Sequence, residues 1–291
     1  MKLLTAILLI SALVAGAQAQ QPRLKNGRVE TRSAAAGLEK ELAAIEREQK
    51  GATWAGYAVP VIAGRHDMCC FDSYHDYRRD PQCCGGCRLE GNGGMVMGQV
   101  SACDHLEPSQ EFFVLLRLEQ GKVQKVRAFS ANCALDAGGL ALYWLTDVRP
   151  AESVALLASL LEGERRRDLA EEAMAALAMH ADPGATEALI RVARQGPGTE
   201  LRGQALFWLA QKAGNKVAGV ITEAIERDPD TELKKKAVFA LSNMPNNQGV
   251  PLLIGLVKNN RNPVVRKEAM FWLGQSDDPR AMEFIISILE R

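Results

Sequence analysis

The sequence predicts a mainly α chain: a right-handed α-solenoid of five 32-residue helix pairs over residues 133–291, preceded by a small β-rich, cysteine-containing domain. Three observations predict it. One pattern recurs every 32 residues, without a gap, from about residue 138 onward. All seven cysteines lie between Cys69 and Cys133, so the two halves rest on different chemistry. The first residues have the form of an export signal, which places those cysteines in an oxidising compartment.

The repeat is anchored on Trp144-Leu145, followed at steps of 32 by Ala176-Leu177, Trp208-Leu209, Ala240-Leu241 and Trp272-Leu273. An alanine stands three residues earlier in every copy: Ala141, Ala173, Ala205, Ala237 and Ala269. The position just before the anchor holds Tyr143, Ala175, Phe207, Phe239 or Phe271. Identity at one fixed period is the signature of a stacked-repeat architecture. Each period holds two helices. The first carries its alanine and its anchor pair at i, i+3 and i+4, on one face. The second shows the same spacing in Leu157, Leu189, Ile221, Leu253 and Ile285. The columns of Leu160 and Leu161 repeat it as Val192-Ala193, Ala224-Ile225, Leu256-Val257 and Ile288-Leu289. These apolar columns predict the shared core, and the alanines predict close helix contact. The tryptophan column is read as core as well.

Turn formers separate the helices: Arg149-Pro150, Asp182-Pro183, Gly214-Asn215, Pro245-Asn246 and Asp278-Pro279. Proline suits a first helical turn, where its missing N–H has no partner to lose. An aspartate just before it can accept the orphan N–H groups. Gly196-Pro197-Gly198, Asp228-Pro229-Asp230 and residues 259–263 break one unit from the next.

Val265-Arg266-Lys267-Glu268-Ala269, with Phe271-Trp272-Leu273 and Asp278-Pro279-Arg280-Ala281, resembles a HEAT repeat of the short bacterial, phycobilisome-lyase-like type. The resemblance implies an ARM-type α-solenoid whose surface binds a protein. Two relatives of this repeat are enzymes. Phycobilin lyases attach chromophores, and deoxyhypusine hydroxylase holds iron with His-Glu pairs. No His-Glu dipeptide occurs in the repeat region, whose one histidine is His180. The basic column Arg202, Lys234, Arg266 opens each first helix. It reads as a partner for carboxylates of a neighbouring unit, with an anion-binding ladder as the alternative.

The chain divides into residues 1–19, a signal peptide; 20–51, a polar segment and an amphipathic helix; 52–132, the cysteine-rich β domain; and 133–291, the repeats. Lys2, the apolar run Leu3–Val14 and Ala17-Gln18-Ala19 make the signal, with Gln20 as the expected mature start. Export to the periplasm or the extracellular space follows, with no membrane anchor left after cleavage. Residues 20–32 read as polar and disordered. Ser33–Lys50 reads as a helix with Leu38, Leu42 and Ile45 on one face and Gly51 at its end. Residues 54–61 and 95–100 read as strands. Glu111–Leu118 and Lys122–Phe129 form a hairpin around Gln120-Gly121.

The cysteines Cys69, Cys70, Cys83, Cys84, Cys87, Cys103 and Cys133 are disulfide candidates. The loop-rich segment they occupy has too little apolar surface to fold without a staple. Seven is odd, so one thiol is left over, and spacing does not fix the pairing. Zinc is the alternative, through Cys84-x-x-Cys87 and His66, His75 or His105, although a second pair at clean spacing is missing. A thioredoxin-like role is disfavoured because Gly85-Gly86 is a poor helix start. Arg88 stands where covalent haem attachment needs histidine, and no Lys-Ser/Thr follows Gly91-Asn92-Gly93-Gly94.

Lys+Arg and Asp+Glu both number 35, and this balance argues against a nucleic-acid surface. Arg165-Arg166-Arg167 and Lys234-Lys235-Lys236 sit among acidic residues and read as solvated faces. No catalytic residue, cofactor site or metal site is predicted. The expected function is an exported protein-interaction scaffold with a disulfide-stapled N-terminal domain. The alternative is a metal- or thiol-dependent enzyme or redox sensor centred on Cys69–Cys103. Phe284, Ile285, Ile288 and Leu289, with no polar helix after them, predict self-association through the last repeat.

Overall fold

The computed structural model describes residues 21–63, 82–84, 87–90, 103–105, 109–161, 167–212 and 214–290. The expected signal peptide, Cys69, Cys70, His66, His75, the strand at 95–100 and Gly91–Gly94 lie outside these residues.

The N-terminal elements are β1 (Leu24–Lys25), β2 (Arg28–Ser33), α1 (Leu38–Glu48), β3 (Thr53–Pro60), β4 (Gln82–Cys84), β5 (Cys87–Arg88) and β6 (Cys103–His105). They continue with β7 (Glu111–Glu119), β8 (Lys122–Ser130), β9 (Leu135–Asp136) and β10 (Ala141–Thr146). A five-stranded sheet runs β2-β10-β3-β7-β8. Its first three strands are parallel and its last two join antiparallel. The expected hairpin is β7–β8. Gln120 at φ 55° and Gly121 at φ 70° give its two-residue turn the left-handed backbone that matches strand twist. A smaller parallel sheet, β1-β9-β5, and the pair β4-β6 complete the region.

Alternation along the strands sorts side chains to two faces. Tyr57, Val59, Phe112, Val114, Leu116, Val126, Ala128, Tyr143 and Leu145 join one core with α1 and the helices that follow. Trp54, Phe113, Leu115, Phe129, Leu142 and Trp144 fill the other face, against Cys87, Leu89, Cys133 and Leu135. Gly56 makes that second face possible. A Cβ there would stand 2.8 Å from the Leu115 side chain and 3.3 Å from the Trp144 ring.

The helices are α2 (Pro150–Ser159), α3 (Arg167–Met179), α4 (Pro183–Gln195), α5 (Gly198–Lys212), α6 (Asn215–Arg227), α7 (Thr231–Ser242), α8 (Val250–Asn259), α9 (Pro263–Gly274) and α10 (Pro279–Leu289). First helices stack in the order α3, α5, α7, α9, each against the next. Asp182, Asp230, Asn262 and Asp278 cap α4, α7, α9 and α10, each accepting a backbone N–H at 2.8–2.9 Å. Ala173, Ala205, Ala237 and Ala269 are fully buried at the helix contacts, as their column predicts.

Three expectations are corrected. The first unit has no first helix: Trp144-Leu145 lie in β10, between β2 and β3. The described residues therefore hold four helix pairs, α3/α4 to α9/α10, with α2 in the second-helix place of a fifth. Ala141-Leu-Tyr-Trp-Leu-Thr is a short apolar run buried on both faces, which periodicity cannot tell from helix. Its aromatic and β-branched members and its central, parallel pairing decide for strand. The sheet thus draws on both sides of the expected boundary at 132/133. Residues 24–25 and 28–32, expected to be disordered, are in strands, and so is Ser33, expected to open the helix that starts at Leu38. Edge pairing needs only backbone groups, and Arg32 adds contacts to Glu30, Glu48 and the Tyr143 ring. Finally, α1 ends at Gln49 in extended backbone, before Gly51.

Candidate functional site

Of the disulfide candidates, Cys87 and Cys133 are joined. Both are buried on the second face of the sheet, and the bond ties β5 to the stretch between β8 and β9. Cys84 is the register partner of Cys103, and Cys83 that of Asp104, in the β4–β6 pair. The bond at Cys87 removes one half of the Cys84-x-x-Cys87 pair from zinc ligation, because a disulfide sulfur is not a thiolate. No cluster of three metal-ligating side chains occurs among the described residues.

In the basic column Arg202 makes the expected pair with a carboxylate of a neighbouring unit, and all three cations bond backbone carbonyls. The Arg202 Nε donates to the Ala193 carbonyl at 3.0 Å, and its Nη2 pairs with Asp228. Lys234 donates to the Glu226 carbonyl at 3.2 Å, and Arg266 to the Asn260 carbonyl at 2.8 Å. Each cation therefore satisfies the C-terminal carbonyls of the helix before its own, where the negative end of the helix dipole lies. The lysine run is engaged too: Lys235 pairs with Glu232 and Lys236 with Glu200, both at 2.8 Å.

The seam between sheet and repeats holds a buried histidine and a half-buried lysine. His180 is fully buried where Val61 bridges it, edge-on to Phe112. Its Nδ1 accepts the Asp182 N–H at 3.2 Å, so Nε2 carries the proton and finds no acceptor among the described residues. Burial pushes its pKa down to about 4. Lys212, at the end of α5, donates to the carbonyls of Leu177, Ala178 and His180. It closes the C-terminus of α3, and burial brings its pKa down to about 8.

The least expected feature is a strip of aromatic rings across the first helices. Trp208 meets Phe207 edge-on with centroids 5.3 Å apart, and Phe207 stacks on Phe239 at 5.9 Å. Phe239 meets Trp272 at 4.8 Å, and Trp272 meets Phe271 edge-on at 5.0 Å. Five rings thus form one continuous wall over α5, α7 and α9. Trp208 and Trp272 touch the core from its rim, whereas Phe207, Phe239 and Phe271 stand outside it. Phe207 and Phe239 are half-buried and Phe271 is 54 % exposed. The reading of the tryptophan column as core holds fully only for Trp144, which is in a strand. The signal was present in the sequence. One residue back from the anchor, the column holds Ala175 in α3 and phenylalanine in the next three first helices.

No arrangement of nucleophile, base and oxyanion donors accompanies the strip among the described residues. An open groove of about 470 Å³ between α6 and α8 is lined by Ala218, Gly219, Thr222, Glu223, Glu226 and Arg227 of α6 and Leu252 of α8. Glu223 there is paired with Arg194 at 2.7 Å. No described helix is long and apolar enough to cross a membrane.

Comparison with curated proteins finds no significant match. Residues 219–291 match the family model for HEAT repeats. That stretch runs from within α6 through α10, shares its 32-residue register with the helix pairs before it, and carries HEAT repeats.

Proposed function

We propose that this chain is an exported protein-interaction scaffold: a right-handed solenoid of helix pairs presenting one continuous surface, held to a disulfide-stapled N-terminal domain. The observation that carries the reading is the stacking of α3, α5, α7 and α9 in one register, of which residues 219–291 match HEAT repeats. Stacked pairs share a core that no single pair could bury, and the product is a long surface suited to a protein partner. Export is supported by Lys2, the apolar run after it and Ala17-Gln18-Ala19. The staple is supported by Cys87–Cys133, which closes a sequence separation of 46.

In this reading a second copy covers the face of α10. On α10, Met282, Ile286, Ile288 and Leu289 are exposed, whereas Phe284, expected among them, is buried and Ile285 half-buried. A patch of that kind marks a contact surface.

The test is affinity capture with the full chain from an envelope extract of the source organism, with thiol alkylation and mass spectrometry of the exported protein. A saturable partner and an oxidised Cys87–Cys133 pair are expected. Replacing both cysteines by serine should cost about 4 kcal/mol of stability for a loop of that length. A chain retained in the cytoplasm with all its thiols free would overturn the export and staple readings. The absence of any saturable partner would overturn the scaffold. Concentration-dependent dimerisation lost in Leu289→Asp is expected, and a monomer at every concentration would remove the second-copy contact.

A further inference from the structure

Strand β2 is one edge of the five-stranded sheet, and β10 is its inner neighbour. Parallel pairing turns alternate residues of an edge strand toward that neighbour. The Ala34 N–H donates to the Thr146 carbonyl at 2.9 Å, so by the same alternation Arg32, Glu30 and Arg28 face inward. Val29, Thr31 and Ser33 therefore aim their N–H and C=O groups away from the sheet, where no described strand pairs with them. All of β2 is exposed except Arg32, which is half-buried. An open edge of this length is a template for another strand.

The side chains decide which strand fits. Glu30 and Arg32 stand beside Tyr143 and Leu145, on the face that α1 covers. Val29 and Thr31 stand beside Leu142 and Trp144, on the opposite face. An antiparallel copy of β2 must set outward residues against outward residues, because only such pairs exchange both backbone bonds. A two-fold centred on Glu30 would oppose two glutamates, and one centred on Arg32 would oppose two arginines. Centring on Val29 or Ser33 leaves no more than three residues of β2 overlapped. Centring on Thr31 overlaps residues 29–33 and conflicts nowhere. Val29 then meets Ser33, Thr31 meets Thr31, and Glu30 meets Arg32 twice.

We infer that β2 pairs antiparallel with β2 of a second copy of this chain, about a two-fold axis at Thr31. Threonine pairs and opposite charges directly across two strands each stabilise the pairing. Arg32 and Glu30 already bond within one chain at 2.8 Å, so the two copies place two arginines and two glutamates in one alternating cluster. Val29, 39 % exposed in a single chain, gains cover from Ser33 and Thr31 of the second copy. The same patch serves both copies, as a closed two-fold contact requires. A strand pair of this length lies at the weak end of interface sizes, so the contact forms at high protein concentration. It is separate from the contact through α10 and does not depend on the scaffold reading.

The test uses the mature chain carrying Leu289→Asp, which silences the α10 contact, and sedimentation over a wide concentration range. A dimer should form as concentration rises. Thr31→Pro should abolish it while the melting temperature of the monomer holds, because the N–H lost points outward and the β10 ladder stays whole. Glu30→Arg and Arg32→Glu should each weaken dimerisation about tenfold. An equimolar mixture of those two variants should restore it, since every charge again meets its opposite. Amide exchange should slow with concentration at Val29, Thr31 and Ser33 and stay unchanged at Glu30 and Arg32. A monomer at every concentration overturns the inference. A dimer that survives Thr31→Pro, or a mixture that fails to restore pairing, overturns it as well. Protection of Val29, Thr31 and Ser33 that does not depend on concentration would mean that the edge is covered within one chain, with the same consequence.

Discussion

Helices α3 and α5 occupy one position in a repeat and differ in what lies on them. A sheet covers α3, which carries Ala175 and Ala176 there; α5 is uncovered and carries Phe207 and Trp208. The backbone register is the same, so the residue type follows from the neighbour. Alanine lets a strand come close, while an aromatic ring would hold it off. A repeat column is therefore a record of two constraints, the shared core and the local partner. Columns that vary between units report the second.

The sharpest break of this comparison uses tryptophan. Trp144 and Trp208 share a column, but Trp144 is fully buried in β10 and Trp208 sits at the rim of the core. Trp144→Ala should cost about 3–5 kcal/mol, the range for emptying a packed aromatic site. Trp208→Ala should cost about 1 kcal/mol, because part of its surface already meets water. Urea unfolding of both variants checks this, and equal losses would mean that the two sites are alike after all.

The seam that covers α3 should also respond to acid. His180 titrates near its ordinary 6.5 in the unfolded chain and at about 4 when folded. Between those values the unfolded chain binds the extra proton, so stability falls as pH drops from 6.5 to 4, and the histidine's contribution is level above that window. The loss amounts to about 3 kcal/mol at the acid end. The groups facing His180 are Asp182, which opposes the shift, and Lys212, which adds to it. In His180→Phe, next to the Phe112 ring, that slope should vanish. Stability measured by urea unfolding at several pH values would show an unchanged slope if the histidine is not its source.

Exchanging the columns tests the covering argument itself. Ala175→Phe places the residue of the uncovered units beneath the sheet, where overpacking should cost about 1–3 kcal/mol. The reverse change, Phe239→Ala, should cost no more than about 1 kcal/mol, since that ring is half-exposed and outside the core. A tolerated Ala175→Phe would show that the sheet does not dictate alanine there.

The sequence displayed the helical pairs because their core columns are apolar in every copy, and the alanine column kept its meaning from Ala173 onward. It misled at Trp144 because a six-residue strand buried on both faces carries no period of its own. The polar β2 was invisible for the opposite reason: its place depends on backbone pairing with β10, which side-chain pattern does not record. The aromatic strip was visible letter by letter. What the letters could not give was which faces were covered, and without that a phenylalanine on a helix reads as core. Of the cysteines, composition indicated oxidation, and only the fold could bring Cys87 to Cys133.

The smallest effect separates covered from uncovered units by their caps. Arg202, Lys234 and Arg266 each reach back to the end of the preceding helix, whereas the same column in α3 is the buried Ala170. A cation at a helix C-terminus contributes about 0.3–1 kcal/mol, more where it is partly shielded from water. Arg202 and Arg266 are half-buried and hold their carbonyls at 3.0 and 2.8 Å, and alanine there should cost about 1 kcal/mol. Lys234 makes a longer, exposed bond of 3.2 Å, and its loss should cost about 0.3 kcal/mol. Arg202 also pairs with Asp228, so Asp228→Asn should weaken the Arg202 contribution and leave that of Arg266 untouched. Urea unfolding of the three single variants, with a double-mutant cycle for Arg202 and Asp228, reads these terms separately. Should all three arginine and lysine variants prove silent, the column would have to be held by something other than the helix ends, and the anion-binding alternative would regain its place.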